Sequence, residues 1–324
     1  MRQIVWFELY VPNQTSLHFG HRLITEAIVP VLYPLLAVLI WAANTIVSKA
    51  AAGVLDPAAI SLYRWLLAAC VLTPFCVRPL WRQRADVAAQ LPRFAVLALL
   101  GMVMYQCLAY YAAHSTSATN MGVIGALIPM LGLILNVAAF RQPVGMQAVT
   151  GVVVSLLGVL YLLGRGHPAT FLDGGVNRGD VLILIGATSY ALYNILYRRW
   201  ALPFGQWLNL YVQVLIAVVF LVPLAFTAQS LAIPRQGIGL VVFAGIASSI
   251  VASYLWMLGL KRIGAERTAI LMNLMPVFTA AMAAVMLGET VHGYHWIGGG
   301  LVLLGVSLAQ GIVRLPIGQS RVQA

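Results

Sequence analysis

Arg64 is the residue with the most chemistry to offer and the fewest evident partners, because it stands inside the apolar run "ISLYRWLLAACVL" at 60 to 72. An ionised guanidinium in such surroundings must face a partner or a wet pocket. It could attract a substrate carboxylate or phosphate; it could equally snorkel, bind carbonyls or pair with Asp56, and the sequence leaves these open. The eight acids do not decide it. Asp56, Asp86, Asp173, Asp180, Glu266 and Glu289 fall at the ends of apolar runs or between them, and Glu8 and Glu26 lie near the N-terminus.

Two stretches of matching outline add amides and aromatic rings. "WAANTIVSK" at 41 to 49 and "YALYNILYR" at 190 to 198 each run from an aromatic residue through a central Asn to a final cation. Lys49 reads as an anchor at the edge of its apolar run, whereas Asn44, about two turns deeper, needs protein or water around its amide. Tyr190, Tyr193, Asn194 and Tyr197 follow i, i+3, i+4, i+7, and Gln106, Tyr110 and His114 follow i, i+4, i+8, so each set shares a helical face. With Trp41, Tyr63, Tyr105, Trp256 and Asn273 they could line an aromatic cavity with a few directed hydrogen bonds. Boundary aromatic belts compete for the outer members.

Reaction chemistry is harder to find. The chain has neither HExxH nor the Gly-Lys of a phosphate-binding loop. Glu289, His292 and His295 have threefold spacing that could gather a metal, but polar boundary residues are the plainer reading. No catalytic residue and no cofactor or metal site is assigned. Cys70, Cys76 and Cys107 sit in or at the end of apolar runs and read as small hydrophobes.

The elements that must hold these residues follow from composition: 61% hydrophobic and 8% charged over 324 residues, against about 25% charged in a soluble chain. Apolar runs near the ~20 residues that cross a bilayer predict ten helices, at about 31–50, 58–78, 93–113, 118–139, 146–164, 179–198, 206–227, 237–258, 266–287 and 293–313. The fold class is therefore an all-α integral membrane protein. Residues 1–30 are a poor signal peptide and read as a tail, an interfacial segment or the surplus of an overlong start; 314–324 form a second tail. The net charge of +11 comes from cations scattered singly between apolar runs, which argues against nucleic acid and makes them topology markers. With ten spans, fourteen Lys and Arg fall on the side of the termini and four on the other, Arg64 set aside. That asymmetry predicts both termini in the cytoplasm.

The chain also repeats itself. Trp41 matches Tyr190, Lys49 matches Arg198 and Pro74 matches Pro223 at an offset of 149. Pro129 and Pro276, Gly151 and Gly298, and Gly158 and Gly305 match at 147. The halves are 31–164 and 179–313, joined by a linker at 165–178. Five spans in each make the second enter from the opposite side, the inverted-repeat plan of secondary transporters. Pro129 and Pro276 should bend corresponding helices, and the paired glycines should form a packing face.

"WAANTIVSKAAAGVLDPAAISLYRWLLAACVLTPF" and "LWMLGLKRIGAERTAILMNLMPVFTAAMAAVMLGETVHGYHWIGGGLVLLGVSL" resemble the opening and closing portions of EamA-domain proteins of the drug/metabolite transporter superfamily. The resemblance implies ten helices in two inverted EamA repeats and transport of metabolites or amino acids, often export, rather than enzymatic work. Arg141 and Gln142 depart from the pattern where the second repeat has Gly288 and Glu289. The expected protein is a carrier of amino-acid-like solutes in a bacterial inner membrane, a monomer or homodimer with lipid and its small-molecule substrate as partners. Carriers of nucleotides, sugars or drugs are the nearest alternatives, a membrane-embedded transferase or structural subunit the more distant ones. An embedded carboxylate for cation exchange is not evident, which favours a neutral, zwitterionic or anionic solute.

Overall fold

A computed structural model describes residues 14–141, 145–167 and 177–311. Among these residues every regular element is helical. In chain order they are α1 (Gln14–Ala51), α2 (Pro57–Arg82), α3 (Arg84–Ala89), α4 (Leu91–Leu97), a π-helical stretch (Ala98–Met104), α5 (Tyr105–Ala112), α6 (Ala118–Gly125), α7 (Ile128–Phe140) and α8 (Met146–Leu163). Then come α9 (Arg178–Trp200), α10 (Gln206–Ala225), α11 (Arg235–Val242), a second π-helical stretch (Phe243–Val251), α12 (Ala252–Met272), α13 (Met275–Leu287) and α14 (Gly293–Ala309). α1 starts before the residue 31 expected for the first span, so residues 14–30 are helical. The remaining parts of both tails, and 168–176 of the linker, lie outside the described residues.

Ten crossings were expected; eight helices among the described residues are long and apolar enough to cross a bilayer, and a ninth crossing counts the bent pair α6–α7 as one span. The last helix, Gly293–Ala309, has 17 residues, which at ~1.5 Å per residue reaches about 25 Å and falls short of the ~30 Å hydrocarbon core. Large apolar side chains such as Phe75, Phe226, Val285 and Trp296 are exposed on the helices and at their ends. Without water available in lipid, helices are the elements that satisfy their own backbone there.

The repeat is visible in the irregularities as well as in the helices. Both third spans carry a π-helical stretch, and Ala98 and Met104 correspond to Gly245 and Val251 at the offset of 147. Both fourth spans are interrupted, between α6 and α7, bent by 41°, and between α12 and α13. Pro129 and Pro276 mark these places, but each sits in the first turn of the helix that follows the break. There the missing N–H leaves no hydrogen bond unmade, so the prolines restart helices instead of kinking continuous ones. Arg141 and Gly288 end α7 and α13 in the same left-handed conformation, at φ 51° and 67°. The first repeat thus makes this turn without the glycine that adopts it freely. Gln142 lies outside the described residues.

Helices pair across the repeats: α1 packs on α12, α5 on α9, α2 on α10, α6 on α13 and α8 on α14. Lys49, at the end of α1, donates to the carbonyls of Ala113 (2.8 Å) and Thr116 (2.7 Å). Asp180, at the start of α9, accepts from the Thr116 hydroxyl. The corresponding first helices of the two repeats therefore run in opposite senses, one ending where the other begins.

The expected glycine face joins α8 to α14. A Cβ at Gly305 would lie 2.4 Å from the Ser155 nitrogen and 2.5 Å from the Gly151 oxygen, and one at Gly158 would lie 2.8 Å from the Gly298 oxygen. Close backbone approach gains dispersion where the hydrophobic effect cannot drive association. Gly305→Leu should therefore destabilise the fold by at least about 2 kcal/mol, since the obstructing atoms are backbone and cannot yield. Gly300→Ala, on the same helix but with open space around it, should leave the thermal midpoint in detergent unchanged; equal midpoints for both variants would contradict the packing argument.

Candidate functional site

A cavity of about 180 Å³ lies where the irregular stretches of both repeats converge. Its wall is built in corresponding pairs. Trp41 and Tyr190, and Asn44 and Tyr193, come from the first helices at the offset of 149. Gly101 and Ser248, Met102 and Ser249, Gln106 and Ser253, and Ile128 and Met275 come from the third and fourth spans at 147. A cavity lined by equivalent positions of both halves lies between them, and its asymmetry in chemistry arises wherever the paired residues differ.

The π-helical stretches make this wall. A π turn widens the helix locally and tends to occur at functional sites. The stretch at 98–104 brings Gly101 against Tyr193, where a Cβ would lie 2.7 Å from the ring. The stretch at 243–251 turns Ser248 and Ser249 toward α2, where Gly245 lets the two backbones approach: a Cβ there would lie 2.9 Å from the Arg64 carbonyl oxygen.

Arg64 sits one layer behind the cavity wall, 2% exposed. Its Nε donates to Ser249 Oγ (3.0 Å), Nη1 to Gln106 Oε1 (2.6 Å) and Tyr110 Oη (3.2 Å), and Nη2 to Ser248 Oγ (3.1 Å). The guanidinium also lies 5.0 Å from the Trp65 ring centroid. It neither snorkels nor pairs with Asp56, whose carboxylate caps α2 at Ala58 (2.8 Å) and accepts from the Gln229 amide (3.0 Å). All four of these acceptors are neutral, so its geometry is satisfied while its charge stays uncompensated among the described residues.

Of the residues singled out from sequence, Trp41, Asn44, Tyr105, Gln106, Tyr190 and Tyr193 line the cavity. Asn194 and Trp256 line a wider space of about 870 Å³ that adjoins it at Ile128 and Met272 and extends to Arg198 and Gln310. Tyr110, 1% exposed, stands behind the wall with Arg64. Tyr197 continues the ring ladder of Tyr105, Tyr190 and Tyr193, at successive centroid distances of 4.7, 5.2 and 5.7 Å.

Three expectations are corrected. Tyr63 turns away and donates to the Leu231 carbonyl (2.7 Å). His114 is exposed because α5 ends at Ala112, which breaks the helical spacing that joined it to Gln106 and Tyr110. Asn273 caps α12 at the break before α13 and does not line the cavity.

The serines 248, 249 and 253, with Thr45 and Ser48, complete the polar wall and were passed over in the sequence. The run "ASSIVAS" offered the only signal, hydroxyls clustered within an apolar stretch. Methionines 102, 121, 272 and 275 supply an apolar wall. Among the described residues no group of His, Cys, Asp and Glu is placed to hold a metal ion. Glu289 instead caps α6, accepting from the amides of Ala118 (2.7 Å) and Thr119 (3.1 Å), while the His295 Nδ1 accepts from the His292 amide (3.0 Å). For the cavity itself, Gly101→Ala should push Tyr193 inward and lower binding of any cavity ligand several-fold at unchanged folded yield. Gly125→Ala, with nothing nearby, should not, and matching ligand titrations of the two variants would refute the close contact.

The EamA-like transporter family matches twice, over residues 28–164 and 177–310. An uncharacterized transporter of Bacillus subtilis, YyaM, is 27% identical over 83% of this chain and 89% of its own length. An uncharacterized transporter of Archaeoglobus fulgidus is 26% identical over 84% and 94%. A solved crystal structure at 18% identity aligns over 88% of this chain and 98% of its own with a TM-score of 0.57, which shows a shared fold. The two matches coincide with the two repeats that wall the cavity, and the chain is a multi-pass membrane protein of the EamA-like transporter family.

Proposed function

We propose that this protein is a secondary carrier that moves small organic metabolites, amino-acid-like carboxylic solutes first among them, by alternating access across a bacterial inner membrane. Ten passes, with the short α14 as the tenth, and cytoplasmic termini fit the charge asymmetry of the loops. Export is the direction suggested by the family resemblance. The observation that carries this reading is the cavity lined by equivalent positions of two oppositely running repeats, since inverted halves exchange roles around a central site.

The same reading explains why access is one-sided. At the end where α1 finishes, the turn at 113–120 of the first repeat is held by the second. Asp180 accepts from Thr116 and from Asn120 Nδ2 (3.2 Å), Asn177 donates to the Ser115 carbonyl, and Glu289 caps α6. At the other end the wider space leads to Arg198 and Gln310. By the charge rule the closed end is external, so this conformation is open to the cytoplasm. Asp180 is also buried, at 3% exposure, although it stands in the first turn of α9.

Drug-sized and nucleotide solutes fit less well, because the cavity volume is below the roughly 300–1,000 Å³ of drug-sized pockets. A transferase reading finds little support, since Glu289, His292 and His295, the polar cluster that could have served one, are engaged as helix caps.

Transport by purified protein in liposomes, against a panel of amino acids, nucleosides and sugar phosphates, tests the reading directly; absence of saturable flux for all of them would count against it. Topology is tested in a background without native cysteines. Gln229→Cys should react with an impermeant maleimide from outside, and Arg84→Cys only after permeabilisation; the reverse pattern would invert the assignment. Asp180→Ala should loosen the external closure and raise labelling of Ser48→Cys from outside several-fold. An unchanged rate would remove Asp180 from the closure.

A further inference from the structure

The charge around the cavity is one-sided. None of the described residues that line it is Asp, Glu, Lys, Arg or His, and the cation that reaches it is Arg64, through Gln106, Ser248 and Ser249. Because Ser248 Oγ and Gln106 Oε1 accept from the guanidinium, the Ser248 hydroxyl proton and the Gln106 amide N–H groups remain as donors on the cavity side, polarised by the charge behind them. A buried charge satisfied by neutral dipoles still attracts an anion, and low surrounding polarity strengthens the attraction.

An ammonium finds no matching place. Its usual acceptors would be a carboxylate or open aromatic faces. The rings of Tyr105, Tyr190 and Tyr193 lie against one another at 4.7 and 5.2 Å, and Trp41 lies against Trp256 at 5.3 Å. One residue of the wall carries an unused acceptor: Asn44 Oδ1, buried beside the cavity on a residue 9% exposed, has no hydrogen-bond partner among the described residues. A neutral acceptor left unused suits a hydroxyl. The methionines opposite suit an apolar body.

Resting on the carrier reading above and narrowing its amino-acid-like class to analogues that lack the ammonium, we propose that the preferred substrates are small monocarboxylates with an apolar body and no ammonium group, with 2-hydroxy acids favoured. Their carboxylate takes the Ser248 and Gln106 donors under the field of Arg64, their hydroxyl donates to Asn44, and their body lies on the methionine side. Arg64 acts through these residues as a positioning group and does not itself touch the solute.

The test compares three molecules of nearly one shape: 2-hydroxy-4-methylpentanoate, leucine, which replaces the hydroxyl by an ammonium, and 2-hydroxy-4-methylpentanamide, which removes the carboxylate charge. Saturable counterflow is measured with the full chain in proteoliposomes, subtracting protein-free vesicles, alongside ligand-induced thermal stabilisation in detergent. The hydroxy acid should outcompete both others by about tenfold or more, the scale of a single charge contact. Arg64→Gln should erase that preference and Arg64→Lys should restore part of it, a pattern that a purely structural role would not give. Should Arg64→Gln fail to fold, Ser248→Ala serves instead, lowering acid binding several-fold with little effect on the amide. Leucine or the amide handled as well as the acid would overturn this inference and leave the carrier reading standing. No saturable flux or stabilisation by any of the three would overturn it too, while flux of other solutes in the broader panel would still support a carrier.

Discussion

Inside hydrocarbon a backbone N–H or C=O without a partner costs several kcal/mol, and that constraint governs where this chain departs from the regular helix. The irregular stretches at 98–104 and 243–251, and the breaks after Gly125 and Met272, contribute Gly101, Met102, Ser248, Ser249, Ile128, Met272 and Met275 to the cavity wall. Irregular backbone is tolerated at this depth where it is enclosed by protein or lines a wet space. The cavity and the broken helices are two aspects of one arrangement.

The repeat supplies the frame, and its imperfections supply the chemistry. Equivalent positions meet at the cavity, so a perfect duplication would give a wall of like residues. Instead Gly101 stands where the other repeat has Ser248, Met102 where it has Ser249, and Asn44 where it has Tyr193. The serines serve Arg64, while the glycine makes room for the Tyr193 ring. One side of the cavity thereby becomes polar, with the Arg64 guanidinium behind it, and another becomes thioether and aromatic. The glycine contact of α8 and α14 lies apart from this, and its matched pairs have stayed close to symmetric because both backbones need the same clearance.

On the proposed carrier reading, closure at one end uses a different physics. The turn at 113–120 is gripped by carboxylates from the second repeat, by the Asn177 amide just before it and by Lys49 from the first. Charge-assisted hydrogen bonds to backbone groups are strong, directional and few, so a small relative movement of the repeats breaks them together. A packed apolar seam would yield more gradually.

The sequence by itself determined the helical membrane class, the duplication and the family. These rest on apolar run length and on proline and glycine spacing, and both are local properties readable along the chain. It also found six cavity residues among fourteen, Trp41, Asn44, Tyr105, Gln106, Tyr190 and Tyr193, because helical periodicity places neighbours on a face. It did not find where those faces point. His114 followed the right spacing beyond the end of its helix, Tyr63 turned to Leu231, and the serines of the second π-helical stretch were hidden because a π turn shifts the register on which spacing arguments rest. The partners of Arg64 were settled only by tertiary structure: Ser248 and Ser249 lie 184 and 185 residues away in sequence, and no local pattern specifies which distant hydroxyls will meet a buried charge once two repeats close around it.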